Sequence, residues 1–147
     1  MAIGINDIAG TGLYGAEYIV SSYGLGNLDM HFGIGWGALN GANKFKNPLI
    51  YIDKRFENRP KSEACFYCED RGGQFSPSRY FSGKEVSPFF GISYAFNKSI
   101  LLKIENDSTL TPGLVGYEES KSSISFGIDY QINKNFSVAV AKERKNY

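Results

Sequence analysis

From Leu28 to Trp36 the even positions are apolar and the odd positions small or polar. Leu28, Met30, Phe32, Ile34 and Trp36 stand against Asn27, Asp29, His31, Gly33 and Gly35. The same period of two runs through SISFGIDYQI, where Ile124, Phe126, Ile128, Tyr130 and Ile132 alternate with Ser123, Ser125, Gly127, Asp129 and Gln131. It continues in Phe136, Val138 and Val140, in Val86, Phe90, Ile92, Tyr94 and Phe96, and in Ile100, Leu102 and Ile104. Residues two apart share one side of an extended chain, so each run predicts a strand with one apolar face. The segment YGAEYIVSS fits less cleanly, because Ile19 and Glu17 fall on the same side. A Phe-Gly-Ile triplet recurs three times, in FGIGW, FGISY and FGIDY.

The turns test the pattern independently. YAFNKSI and YQINKNF are near copies. Pairing Phe96 with Ile100, and Ile132 with Phe136, leaves three-residue loops, whose last residue (Ser99 or Asn135) is expected in the left-handed region. An odd loop length keeps the even residues of both strands on one face, as the apolar pattern requires. Strands 14–23 and 27–37 are joined through Gly24-Leu25-Gly26, a long outer loop spans 38–85, and a medium loop spans 107–121. Short turns therefore alternate with long connections. The expectation is an all-β, antiparallel up-and-down meander over 1–147, a single portion of a transmembrane β-barrel with short turns at one end and long loops at the other.

Alternation alone does not say which face meets which solvent. Several strands approach the ~9–11 residues that cross a bilayer at a tilt. Aromatic residues (Trp36, Tyr94, Phe96, Tyr130, Phe136) lie near strand ends, where interfacial girdles form. The other face is mostly Gly, Ser, Ala, Asp and Gln, which suits a polar lumen. Phe32, Ile34, Trp36, Phe90, Ile92, Tyr94, Phe126, Ile128 and Tyr130 are therefore expected to face lipid, in a bacterial outer membrane. The alternative is a soluble β-barrel or sandwich binding a ligand or protein partner, with the same residues as its core.

Composition narrows the field. At 147 residues and a formal net charge of +1, the chain offers no electrostatic case for nucleic acid. No apolar run is long enough for a membrane-crossing helix. The start, MAIGINDIAGTG, lacks the basic and apolar regions of a signal peptide, so a longer precursor is expected.

Chemistry is sparse. Cys65 and Cys68 read as two unpaired thiols or a local disulfide in a loop. A zinc site normally needs four ligands, and the only histidine, His31, lies on a strand, so no metal or other cofactor is expected. Asp29 and His31 share a face and read either as an acid–base pair or as lumen polarity; no nucleophile accompanies them. Lys103, Glu105, Asp129 and Gln131 read either as a hydrogen-bonding ladder for sugar hydroxyls or as cross-strand partners. In the long loop, Tyr67, Arg71, Arg79 and Tyr80 are candidate ligand contacts, in a segment that could equally plug the barrel or stay solvated. No catalytic constellation is present in the pattern, so the expectation is a protein that is not an enzyme.

Two stretches carry a family resemblance. GINDIAGTGLYGAEYIVSS followed by LDMHFGIGWG, and GGQFSPSRYFSG running into PFFGISY, resemble the YjbH family of outer-membrane proteins. Asp7 precedes the IxGTG segment at 8–12, and a GxGWG ends the second strand, as in that family. The resemblance spans most of the chain and implies an outer-membrane β-barrel associated with exopolysaccharide or capsule export or assembly. Its implied partners are outer-membrane lipid, exopolysaccharide and periplasmic export or assembly proteins; it carries no catalytic residues. The secretion signal and further strands of a full member are missing, Cys65-x-x-Cys68 departs from the pattern, and the polar KERKN before Tyr147 is no terminal barrel signal. A fragment that stops mid-barrel is expected.

Overall fold

The computed structural model describes residues 1–9, 14–60, 75–112, 117–118 and 123–143. Its strands are β1 (Ala2–Asn6), β2 (Ala16–Leu25), β3 (Leu28–Gly37), β4 (Phe45–Lys46), β5 (Glu85–Ala95), β6 (Ile100–Asn106), β7 (Thr111–Pro112), β8 (Tyr117–Glu118), β9 (Ile124–Gln131) and β10 (Ser137–Lys142). One antiparallel sheet has the order β1-β2-β3-β5-β6-β9-β10, with β4 beside β5; β7 and β8 form a separate ribbon. The up-and-down meander is therefore present. The sheet is open, with β1 and β10 as its edges.

Both expected three-residue loops form. The Phe96 amide donates to the Ile100 carbonyl at 3.0 Å, and that of Ile132 to Phe136 at 3.0 Å. The left-handed residue does not. Among the described residues the non-glycine positive φ angles belong to Asp7, Asn43 and Phe81, not to Ser99 or Asn135. The Asn at the first loop position provides the reason. Asn97 Oδ1 accepts from the amides of Ser99 and Ile100 at 2.8 and 2.9 Å, and Asn133 Oδ1 does the same for Asn135 and Phe136 at 2.9 and 3.1 Å. A side-chain oxygen thus satisfies the turn amides that a left-handed residue would otherwise reposition.

The β2–β3 turn also differs from expectation. Leu25 pairs with Leu28, so β2 runs to residue 25 and the loop is only Gly26-Asn27, with Gly26 at φ +60°. A two-residue loop with glycine first suits the strand twist. It also reverses parity: the odd residues of β2 join the even residues of β3. Ile19 opposes Ile34 and Glu17 opposes Trp36, all on the apolar face. β1 was not anticipated; its Ile3 and Ile5 extend that face by pairing with Ile19 and Glu17.

The small core sits at one end, under the loops. Its buried apolar residues are Ala16, Trp36, Ala38 and Val86, joined by Glu17, Asn47, Ser82, Ser87, Asn106 and Ser108. Trp36 is a correction: expected against lipid, it is 1% exposed and lies edge-on to Phe81, ring centroids 5.2 Å apart. The segment 47–59 folds back over this part of the apolar face. Asn47, fully buried, fastens it by donating to the carbonyls of Phe81 and Gly83 at 3.0 and 2.9 Å and accepting from the Leu49 amide at 3.1 Å. Farther out, Asp53 accepts from the Arg55 amide at 2.8 Å, and the Arg55 side-chain hydrogen bond holds its carboxyl below the usual carboxylate range.

Glu17 is the second fastening. Arg59 grips its carboxylate with both nitrogens, Nη1 to Oε2 at 2.6 Å and Nη2 to Oε1 at 2.9 Å, and the Phe81 amide donates to Oε2 at 3.1 Å. Arg59 Nη1 also donates to the Arg79 carbonyl at 2.9 Å. Phe81 holds its unfavourable φ of 57° between this hydrogen bond and the Trp36 ring. A buried pair of this kind is costly to break from one side, by about 3–5 kcal/mol, because the other charge is left uncompensated. Arg59→Met is therefore expected to destabilise the folded protein by about 3 kcal/mol or more, and Glu17→Leu with Arg59→Met to recover most of that loss. Denaturant unfolding of both variants checks it; additive losses in the double variant would show that the pairing is not what holds the segment down.

Candidate functional site

Register, not sequence proximity, assembles the polar face. Ser22, His31, Gly91, Glu105 and Ser125 form one row across β2, β3, β5, β6 and β9. The next row is Gly24, Asp29, Ser93, Lys103 and Gly127, followed by Leu101, Asp129 and Ala139, and then Gln131 with Ser137. All six candidate lumen residues (Asp29, His31, Lys103, Glu105, Asp129 and Gln131) thus lie on one face, in adjacent rows. Lys103 and Asp129 do pair across strands, Nζ to Oδ2 at 2.5 Å. Both are more than a third exposed, at 39% and 36%, so the pair contributes only about 0–1 kcal/mol and leaves their polar atoms accessible.

Close approach explains the glycines on this face. A Cβ at Gly33 would stand 2.1 Å from the Phe89 ring, and one at Gly91 would stand 2.6 Å from the His31 ring. Each ring occupies the space above the glycine of the neighbouring strand. Asp29 leans the other way, its Oδ1 2.8 Å from where a Gly24 Cβ would be. The side chains of Asp29 and His31 therefore diverge, one over β2 and one over β5.

Beside them an open groove of about 440 Å³ is lined by Lys103, Glu105, Ser125, Asp129 and Glu143, among others. A second of about 480 Å³ lies toward the turns, lined by Asn97, Ser99, Asp129, Gln131 and Ser137 with their neighbours. Carboxylates accept, the ammonium donates and the serines do both, a mixture able to replace water around a polyhydroxylated chain. Tyr18 and Phe89 share this face, their rings edge-to-face at 6.5 Å, and sequence reasoning passed over both. The two-residue turn was the missing signal, since it assigns Tyr18 to the polar side.

The loop candidates separate. The Tyr80 hydroxyl donates to the Ile8 carbonyl at 2.6 Å, and the Arg79 carbonyl accepts from Arg59, so both residues take part in packing the loop against the sheet. Tyr67, Arg71, Cys65 and Cys68 lie outside the described residues. Among the lipid-face candidates, Phe32, Tyr94, Phe126, Ile128 and Tyr130 are exposed, while Ile34, Phe90 and Ile92 are half-buried.

A family model described as exopolysaccharide biosynthesis protein YbjH (YjbH) matches residues 1–147. The chain belongs to the YjbH family. An Escherichia coli (strain K12) relative, named Uncharacterized lipoprotein YjbH, is 32% identical over 148 residues. The match covers 99% of this chain and 20% of that relative. No solved structure matches. The stretch that YjbH proteins share with this chain thus includes the glycine-bearing strands of the polar face.

If the glycine contacts set the packing of that face, Gly33→Ala should destabilise the protein by about 1–3 kcal/mol through overpacking. In a Phe89→Ala background the same change should cost little. A double-mutant cycle by denaturant unfolding measures the coupling, and equal costs in both backgrounds would dismiss the contact.

Proposed function

We propose that this stretch forms part of an outer-membrane β-barrel that serves exopolysaccharide export or assembly without catalysing a reaction. The carrying observation is the exposed apolar side of the sheet. Phe32, Phe126 and Ile128 are 50%, 52% and 52% exposed, and the register joins them with Ile92, Tyr94, Leu102, Ile104 and Val140 into one continuous surface. Among the described residues no second layer covers it. Water would oppose such a surface, whereas hydrocarbon would cover it at no cost in polar groups. Tyr94, Phe96, Tyr130 and Phe136 sit exposed toward the turn end, in keeping with an interfacial girdle.

The family description supplies the polysaccharide, and the lipoprotein name of the Escherichia coli relative supports a place in the cell envelope. In this reading the polar face lines the lumen. Its hydroxyls, carboxylates and Lys103 substitute for sugar hydration, and Tyr18 and Phe89 offer ring surface. Passage is passive, and export or assembly proteins on the periplasmic side give it direction.

An Arg on the lipid face near mid-bilayer costs about 2–4 kcal/mol, whereas one in the lumen stays hydrated. Ile128→Arg, between Leu102 and Val140, is expected to abolish membrane insertion of the full-length protein, and Ser125→Arg to leave most of it intact. Flotation of membranes with a folded-state assay provides the readout. Equal tolerance on both faces would point instead to a soluble module whose apolar side is covered by another protein.

A further inference from the structure

Among the described residues the sheet ends at β1 on one side and at β10 on the other. Exposed edges in soluble proteins are usually guarded by proline, a bulge or an inward-pointing charge. β1 reads AIGIN and carries none of these; β10 reads SVAVAK and carries a single charge, Lys142, at its last position and on the apolar face beside Phe126. Val138 and Val140 continue the apolar face, and Ser137, Ala139 and Ala141 continue the polar one.

The hydrogen-bond alternation identifies the free groups. The Ile132–Phe136 bond closes the last hairpin, so the even residues of β10 exchange bonds with β9. The Gln131 amide accordingly turns the other way, to the Ser99 carbonyl beside β6, at 2.8 Å. The amides of Ser137, Ala139 and Ala141 therefore point out from the edge. At the opposite edge, the Leu25–Leu28 closure commits the odd residues of β2 to β3 and the even ones to β1. That leaves the amides of Ile3 and Ile5 pointing outward.

Direction decides what can occupy these edges. The meander β1-β2-β3-β5-β6-β9-β10 has an odd number of strands, so β1 and β10 run the same way. Joining them directly would make a parallel pair in an otherwise antiparallel sheet. A second copy turned about a common barrel axis would bring β10 against β1 in the same parallel sense. Pairing β10 with β10 would invert one copy and send its long loops to the opposite end. The Escherichia coli relative, of which this match covers 20%, has ample chain to provide the strands.

We propose that β1 and β10 are each completed by an antiparallel strand from the remainder of a longer chain, with an odd number of strands closing the gap between them. The inference rests on the barrel reading above. The strand beside β10 carries apolar residues level with Val138 and Val140 and small ones level with Ala139 and Ala141, which keeps both faces continuous.

The test uses the full-length protein folded in lipid vesicles. Hydrogen exchange at Ile3, Ile5, Ala139 and Ala141 is expected to be as slow as at Val138 and Val140. Ala139→Pro removes an outward donor without touching a bond to β9, and should lower the folded yield about ten-fold or more, while Ala139→Ser leaves it unchanged. In a Cys65→Ser, Cys68→Ser background, Val138→Cys with Tyr130→Cys should form a disulfide on oxidation. Ile3→Cys with Val138→Cys, or with Val140→Cys, should not. Rapid exchange at the outward amides, or a disulfide between β1 and β10, would overturn the proposal. Protein that fails to float with lipid yet keeps slow exchange at both edges would refute the barrel and leave the strand pairing standing.

Discussion

A one-layer sheet cannot bury its own apolar face, and this constraint governs the molecule. In most domains each sheet lays its hydrophobic side against another layer. Here the apolar side chains of β3, β5, β6, β9 and β10 are brought into register, row upon row, and among the described residues are left uncovered over most of their extent. Backbone ladders and side-chain contacts between neighbours hold the strands together. The stability of the whole depends on what the apolar face meets. That dependence makes the environment part of the fold.

The loop end is the exception and follows different rules. Residues 47–59 fold over the apolar face, while residues 38–41 meet 107–110 on the other side: the Gly41 amide donates to the Ser108 carbonyl at 2.7 Å and the Leu110 amide to the Ala38 carbonyl at 2.7 Å. Loops thus grip the sheet from both faces. The cover is stitched with polar groups, Asn47 and the Glu17–Arg59 pair. Such groups are costly to bury unless every partner is in place, so the cover has few ways to sit. Pro88 fits the same economy. Its missing amide falls where the β6 ladder has ended, and its carbonyl accepts from Asn106 Nδ2 at 3.0 Å.

Strand parity was legible because it is local. The spacing of Phe96 and Ile100, or of Ile132 and Phe136, fixed two hairpins from their own residues. Trp36 was misread because its environment comes from Phe81, far along the chain, and no period reports that a loop will return. Glu17 looked like noise in β2, yet a carboxylate on an apolar face was the one sign that a cation would cover it. The Asn97 and Asn133 turns were placed correctly with the wrong conformation, since side-chain oxygens competed with the backbone for the same amides. On the polar face the candidate residues came out together because all follow from the same alternation; Tyr18 was lost with a single miscounted turn.

The recurring Phe-Gly-Ile joins these levels. Gly33, Gly91 and Gly127 occupy the same place in the three copies, and each faces a large or long side chain on the adjacent strand. Phe89 lies over Gly33, His31 lies over Gly91, and Lys103 Cβ stands 3.7 Å from the Cβ position of Gly127. The Phe and Ile of each copy supply the apolar side, while the glycine makes room on the other for a group that the neighbouring strand contributes. A larger residue at these positions would push Phe89 and His31 off the sheet and into the space above it. The motif therefore determines both surfaces at once: how continuous the apolar face is, and how close to the sheet the polar groups lie.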